Sequence, residues 1–518
     1  MNLLTKSEEW RRKVGGRDVS SLQETNLKRY LFHKLVLIDF LICFLFFSPF
    51  LKLHFSIDSY TMMRLQAQGG GAGPHLVNGR FTAVVIVKIL DYFGVNLVLD
   101  TAFEVFTFMF CSAWCMAKIT EWFFDGKMTE KNCLEIMLVQ AGCITGFCNV
   151  FIAEWYQFTE TLSIYTVAVY SCVYAAKFFK EARYVQSFLV LAAGYNCYQP
   201  AMAFYVFLIL FFVLKEHGYH CEPGALRKVL KGVLVCSSVF MANFLITRWL
   251  MRMGIIAGDS RYDEVGLKHL TDHIGMLLLN QKLVWIDANG MMGLPLMAVI
   301  VCSMILLVVY TQMQKEHFTI VQICYQALML LGGMGVVYLP IVMVRMFWMA
   351  PRTIVPLFFV YTVLAAYLAF QGSRKVKTAA LVCLCILLTG MCYDVHIYVK
   401  DIRYSNQMDQ QYIHMVQEKI EEYERLSRIK VEYLGFSPDA NIRWRWNLSK
   451  EYYWDVLQRI GTVEWAKADA FNYFESESYS QTEVPKEYVA YFMQNDWDSP
   501  DLEAQVKFDN NKCYIAIF

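Results

Sequence analysis

Charge is what this sequence has least of: 18% of its 518 residues are charged, against 57% hydrophobic and 16% aromatic. So low a charged fraction argues against an ordinary soluble enzyme and for a polytopic membrane protein. Neither sign dominates, with 47 Lys and Arg against 46 Asp and Glu. There is also no basic stripe with interleaved aromatics, so nucleic acid is excluded as a partner. The opening "MNLLTKSEEWRRKVGGRDVSSLQETNLKRYLFHK" is long and charged, and no small-residue cleavage site follows the first apolar run. It is therefore expected to be a retained cytoplasmic tail, residues 1–34, rather than a secretory signal peptide. Of sixteen cysteines, all but Cys513 precede residue 393, so the polar C-terminal region has no internal disulfide. Cys111 and Cys115 stand one helical turn apart without His or carboxylate partners and read as buried thiols, not a metal site. Internal repeats and low-complexity tracts are absent.

What the chain does have is apolar length. A crossing helix needs about 20 mostly apolar residues. Such spans are read at 35–53, 95–117, 134–152, 162–179, 184–198, 200–214, 230–250, 294–312, 320–339, 354–370 and 379–396. The fifth and sixth abut at "GYNCYQPA", which predicts a tight hairpin or a broken pair. The basic N-terminal tail orients the chain. Eleven crossings then put the loops bearing Lys118, Lys127 and Lys131; Lys177, Lys180 and Arg183; Arg227, Lys228 and Lys231; Lys315; and Arg374, Lys375 and Lys377 on that same inner side. "RFTAVVIVKILDYFGV", residues 80–95, would invert this order if it crossed; its Lys88 and Asp91 suit a helix lying on the outer surface.

After Tyr398 the sequence turns rich in Glu, Asp, Tyr and Trp. "SNQMDQQYIHMVQEKIEEYERL" puts Met408, Ile413, Val416 and Ile420 near one helical face, and "RIKVEYLGF" reads as a strand. The expectation is thus an all-α polytopic membrane protein, N-terminus in and C-terminus out. It comprises a membrane domain at 35–397, whose first outer loop is 54–94, and a small extracytoplasmic α/β domain at 398–518.

This topology collects the polar features on the outer side. The first outer loop gives Asp58, Arg64, His75 and Arg80; "AEWYQFTE" gives Glu154, Trp155, Tyr156, Gln157 and Glu160; the sharp turn gives Tyr198 and Gln199; "RMFWMAPR" gives Arg345, Trp348 and Arg352. A long outer loop, 251–293, holds His269 and His273 at i, i+4 around Asp272, a spacing that can bind metal but lacks a third ligand. Arginines can hold a lipid carrier's phosphate, a carboxylate can take a proton from a hydroxyl, and aromatic faces suit sugar rings. Glycosyl transfer from a lipid phosphate fits that set. Each piece also has a structural reading: a solvated loop aspartate, a helix-end glutamate, interface-anchoring arginines, a helix-packing amide, an aromatic belt.

Asp58 soon after the first span, "NGRF" at 78–81, "YQ" at 198–199 and "APR" at 350–352 together resemble the bacterial O-antigen-modifying, serotype-converting type II glucosyltransferases. That family is similar in architecture to the GT-C class of polyprenyl-phosphate-sugar-dependent transferases. The resemblance covers roughly residues 30–400. It implies a hexose, glucose or another, carried on undecaprenyl phosphate and added to a surface polysaccharide at the outer face of the bacterial cytoplasmic membrane. Asp58 would be the catalytic carboxylate, with Arg80, Arg345 and Arg352 on the donor phosphate. Arg64, Tyr156, Tyr198, Gln199 and Trp348 would contact sugar or acceptor. The chain departs from the family's adjacent carboxylates, since Asp58 stands between Ile57 and Ser59; Glu154 is expected to supply the second from another loop. Mg²⁺ or Mn²⁺ on the outer carboxylates is an open option. Two alternatives share these features, a flippase or transporter for a lipid-linked sugar and a polysaccharide polymerase or ligase. Against the transporter stand the absence of inverted halves and the scarcity of ionisable groups deep in the spans, Asp39 and Glu104 being placed near span ends.

Overall fold

The computed structural model describes residues 19–220, 222–256, 270–286, 294–315, 319–343, 347–437, 448–450, 452, 457, 465–494 and 501–516, with residues 19–29 and 130 described by backbone alone. Helices α1 (Val19–Phe47), α2 (Ser59–Ala67), α3 (Gly73–Val77), α4 (Phe81–Tyr92), α5 (Thr101–Phe123), α6 (Cys133–Phe147), α7 (Ile152–Gln157) and α8 (Leu162–Lys180) come first. They are followed by α9 (Tyr184–Tyr195), α10 (Met202–Glu216), α11 (Pro223–Arg252), α12 (Leu270–Trp285), α13 (Pro295–Met313), α14 (Ile320–Met343), α15 (Pro351–Ile354), α16 (Phe359–Gln371) and α17 (Arg374–Ser427).

Among the described residues, nine helical stretches are long and apolar enough to cross a membrane. They run Tyr30–Leu51, Thr101–Phe123, Thr159–Lys180, Gln199–Glu216, Pro223–Arg252, Pro295–Met313, Ile320–Met343, Pro351–Gln371 and Arg374–Ser427. The chain is a mostly helical, polytopic membrane protein. The other two expected spans form the shorter apolar helices α6 and α9. With 12 residues, α9 rises about 18 Å, short of a hydrocarbon core of about 30 Å. Its chain turns at Asn196–Tyr198 directly into α10. The surface segment after Arg80 is α4, likewise 12 residues long.

Close packing at the centre follows from small residues. Gly142 and Gly146 sit one turn apart on α6, and a Cβ on them would lie 2.8 Å from Ala365 Cβ and 2.6 Å from the Phe359 ring. This small-xxx-small face lets α16 approach closely, and Thr362 Oγ1 donates to the Gly142 carbonyl at 2.8 Å.

The basic loops meet at one end of the bundle. Lys180 and Lys215 share Asp125 at 2.5 and 2.8 Å, and Lys377 pairs with Glu135 at 2.5 Å. Lys315 donates to Gln371 at 2.6 Å. Helices α8 and α16 run from this end to the opposite one, where Asp58, Glu154, Tyr198 and Arg352 are found.

Three expectations change. The stretch 251–293 is not simply a loop, because α12 forms within it. Asp39 lies inside the stretch Tyr30–Leu51 rather than near its end; it is buried and accepts from Gln140 Nε2. Glu104 does lie in the first turn of its helix and accepts from Ser163 Oγ at 2.9 Å. Finally, the last span and the helix after it are one element. α17 has 54 residues and is about 80 Å long at 1.5 Å per residue. It is capped by Ser373, whose side chain accepts from Val376 N–H, and it ends where Arg428 turns to φ 62°.

Beyond α17 lie β1 (Tyr433–Phe436), α18 (Lys467–Glu475), β2 (Ser480–Thr482), α19 (Lys486–Gln494), α20 (Leu502–Gln505), β3 (Val506–Asp509) and β4 (Lys512–Ile515). The strands form one sheet in the order β2-β1-β4-β3. β1 runs parallel to both neighbours, and β3 and β4 form an antiparallel hairpin. β1 falls within the run read as a strand. The core under the sheet takes Ile413, Val416 and Ile420 from α17 and also Ile57, Tyr60 and Phe158 from the membrane part. It is therefore not a private core.

Candidate active site

The "APR" arginine is held from every side. Pro351 starts α15, a position where its missing N–H costs nothing. Glu154 Oε2 accepts from Arg352 N–H at 2.6 Å and Glu154 Oε1 pairs with the Arg352 guanidinium. The Arg352 carbonyl accepts from Trp155 Nε1 at 2.8 Å and from the Tyr198 hydroxyl at 3.1 Å. The guanidinium lies over the rings of Phe158 and Trp348, 4.7 and 4.6 Å from their centroids. Glu154 is fully buried and the Arg352 side chain is 12% exposed. Both partners share the desolvation, so removing either leaves a buried charge unmatched.

The "NGRF" turn docks on the "YQ" junction. Gly79 adopts φ +64°, and a Cβ there would lie 2.9 Å from Thr247 Oγ1 on α11. Only a glycine passes this point without strain. Asn243 of α11 donates to the Gly79 carbonyl at 2.8 Å and to Asn196 Oδ1 at 2.6 Å. Gln199 donates to the Asn78 carbonyl at 3.0 Å and accepts from Arg80 Nε at 3.3 Å. The Arg80 guanidinium stands 5.1 Å from the Tyr198 ring centroid. Tyr198 thus lies between two arginines, its ring under Arg80 and its hydroxyl on the backbone of Arg352.

Asp58 precedes α2. Its backbone N–H donates to Ser56 Oγ at 3.1 Å, and Ser56 Oγ donates to Glu160 Oε1 at 2.6 Å. Ser59 Oγ donates to Glu160 Oε2 at 3.2 Å. Asp58 Oδ1 accepts from the indole N–H of Trp465 at 3.0 Å. The carboxylate beside Asp58 is thus Glu160 and not Glu154, whose two oxygens are taken up by Arg352. One segment, "AEWYQFTE", ties the two halves together: Glu154 and Phe158 hold Arg352, while Glu160 holds the Asp58 loop. Glu154 and Glu160 are roughly 10 Å apart along it, at 1.5–2 Å per residue.

Two expected residues point elsewhere. Tyr156 is fully buried, stacked 4.1 Å from Phe47 and edge-on to Phe108. Arg64 pairs with Asp469 of α18 at 2.6 Å. Arg345 and His269 lie outside the described residues. His273 is buried and faces the Val342 carbonyl at 3.2 Å. Among the described residues, no group of three or more His, Cys, Asp or Glu is placed to hold a metal ion. His75 is 4% exposed with neither ring nitrogen hydrogen-bonded. Burial, and then the nearby Arg80, push its pKa down to about 3, so it is a neutral imidazole.

A family model described as Glucosyl transferase GtrII matches residues 43–371, from the end of α1 through α16. The chain belongs to the GtrII glucosyl transferase family. No curated protein and no solved structure matches it. All three motifs that carry the family resemblance, "NGRF", "YQ" and "APR", fall inside the GtrII region, and so does the "AEWYQFTE" bridge. Trp465 reaches Asp58 from outside it.

Proposed function

We propose that this GtrII family member transfers a hexose, glucose by family, from undecaprenyl phosphate to a cell-surface polysaccharide at the outer face of the bacterial cytoplasmic membrane. One observation supports it above the rest. Arg80 and Arg352 flank Tyr198 at the end of the bundle opposite the basic loops, and the "AEWYQFTE" segment leads from them to Asp58. Basic loops mark the cytoplasmic side, so the opposite end faces out.

The acceptor hydroxyl attacks the anomeric carbon while Asp58 takes its proton. The bond from that carbon to the phosphate oxygen breaks, and the electron pair stays on the phosphate. Arg352 and Arg80 stabilise the charge that develops there. Glu154 positions Arg352 rather than touching sugar. Gln199 positions Arg80, Trp348 offers an aromatic face, and the lipid tail runs between helices, where burial supplies affinity. A well-placed general base contributes about 10²–10⁴-fold.

Membranes containing the full chain, given radiolabelled polyprenyl-phosphate glucose and surface glycan, should label the glycan, and Asp58→Asn in an inserted protein should abolish that. Lipid crossing the bilayer with no label in glycan would support the flippase reading, for which Asp39 within its span is the candidate ionisable group. A donor requirement for diphosphate would point to a polymerase or ligase instead.

A further inference from the structure

Where the first and last membrane-crossing helices leave the apolar zone, a half-open pocket of about 400 Å³ lies between them, lined by Pro49, His396, Val399, Lys400, Arg403 and Tyr404 together with Gln407. His396, Lys400, Arg403 and Gln407 follow i, i+4, i+7, i+11 spacing, one stripe of α17. Arg403 donates to the Pro49 carbonyl, and His396 Nε2 lies 2.9 Å from the Leu45 carbonyl. The pocket is therefore built by both helices.

Its charge is not cancelled. Asp394 is spent on Lys450, and Asp401 accepts from Ser449 at 2.8 Å and Tyr452 at 2.9 Å. Among the described residues neither Lys400 nor Arg403 has an acidic partner. Below the pocket the seam is apolar and open, with Leu41 56%, Leu45 60%, Ile386 49% and Tyr393 70% exposed. A cationic head above an exposed apolar track matches an anionic amphiphile. The level of Lys400 matches as well: it lies about 6 Å past residue 396 at 1.5 Å per residue, within a headgroup layer of about 5–8 Å.

We infer that this pocket holds the phosphate headgroup of a membrane lipid, its acyl or prenyl chain lying along the α1–α17 seam. Basic pockets between crossing helices bind such headgroups. The pocket is separate from the Arg80–Arg352 pair. It borders the loop that leads to Asp58: Asn406, next to Gln407 on α17, accepts from the Phe55 N–H at 2.9 Å and donates to the Phe55 carbonyl at 3.1 Å. Two sources share this chemistry, bulk anionic phospholipid and the polyprenyl phosphate released by transfer. The inference does not depend on the transferase reading or on which side is outside, since both leaflets have headgroups.

The test uses the full chain in a zwitterionic detergent, titrated separately with farnesyl phosphate, phosphatidylglycerol and phosphatidylcholine and read by native mass spectrometry. The two phosphate anions should be retained and phosphatidylcholine should not. Lys400→Gln, at an exposed position, should weaken retention about fivefold, and Lys400→Arg should restore it. Preference for farnesyl phosphate assigns the pocket to the carrier; equal retention of both anions assigns it to bulk phospholipid. Equal retention of all three lipids, or unchanged binding in both Lys400→Gln and Lys400→Glu, overturns the inference. Because binding is read directly, this failure is distinct from a failure of glucosyl transfer.

Discussion

Ser56 joins Asp58 to Glu160, but the two carboxylates have different surroundings. Glu160 is 1% exposed with each oxygen taken by a serine hydroxyl. Asp58 is half-buried and faces Trp465, which is 54% exposed. Of the two carboxylates, Asp58 is the more exposed. Asp58→Asn is therefore expected to cut kcat by at least about 100-fold, and Glu160→Gln by about tenfold through loss of loop order. The reverse ranking in a single-turnover assay would move the base to Glu160. Trp465→Phe keeps the ring but removes a hydrogen bond to a charged group, so kcat should fall about tenfold with little change in KM. His75 gives a pH prediction. Its folded pKa, about 3, lies below the ordinary 6.5, so the unfolded chain binds the proton first and stability is lost as pH falls below about 6.5. Between pH 7 and pH 5 the loss should be about 2 kcal/mol. Thermal unfolding in detergent at the two pH values, compared with His75→Gln, checks this: the variant should show a flatter dependence.

At the scale of elements, the site depends on where helices stop. The motifs that carry the resemblance sit at breaks: "NGRF" between α3 and α4, "YQ" between α9 and α10, and "APR" at the start of α15. Backbone freed at membrane depth is tolerated where protein buries it, and here Asn243, Gln199 and Trp155 supply the partners. Gly79→Ala would force a side chain into the left-handed region at a cost of about 1–2 kcal/mol and push it against Thr247. Arg80 would then leave Tyr198. Donor KM should rise several-fold while membrane insertion, followed by protease protection, stays unchanged; an unaltered KM would detach the turn from donor binding. This level also shows what the sequence made legible. Apolar runs report apolar helices directly, so every expected span is a helix, and the short motifs mark the helix breaks at which Arg80, Tyr198, Gln199 and Arg352 stand. Partnership was not legible. Glu154 and Glu160 lie six residues apart in one polar segment, and nothing local says which faces Arg352 and which faces Ser56. Tyr156, expected to contact sugar or acceptor, instead stacks on Phe47 inside the bundle. Trp465 carried no signal at all, being about 400 residues from Asp58.

For the whole molecule, α17 decides how the parts are coupled. A separate C-terminal appendage would have its own core and a flexible joint. Here a single helix passes from the bundle into the sheet, and the core of that sheet includes Ile57, Tyr60 and Phe158. Thr61 donates to the Trp465 carbonyl and to Asp469 at 2.8 and 2.9 Å, and Phe55 stacks on Tyr60 beside Tyr473 and Phe474. The loop carrying Asp58 is thus as much part of the C-terminal α/β segment as of the bundle. Ending the chain after Ser427 keeps every crossing helix but exposes Ile57, Tyr60 and Phe158, a loss of about 1.5–3 kcal/mol of burial for each large side chain. Such a protein should insert normally, show new protease cleavage between residues 55 and 70, and have no transfer activity. The contacts also fix sidedness. Arg64 touches Asp469, so tags at residue 68 and after residue 516 must report from the same side of the membrane. The proposed topology puts that side outside, and a cytosolic signal from both tags would leave the fold intact while removing the surface polysaccharide as acceptor.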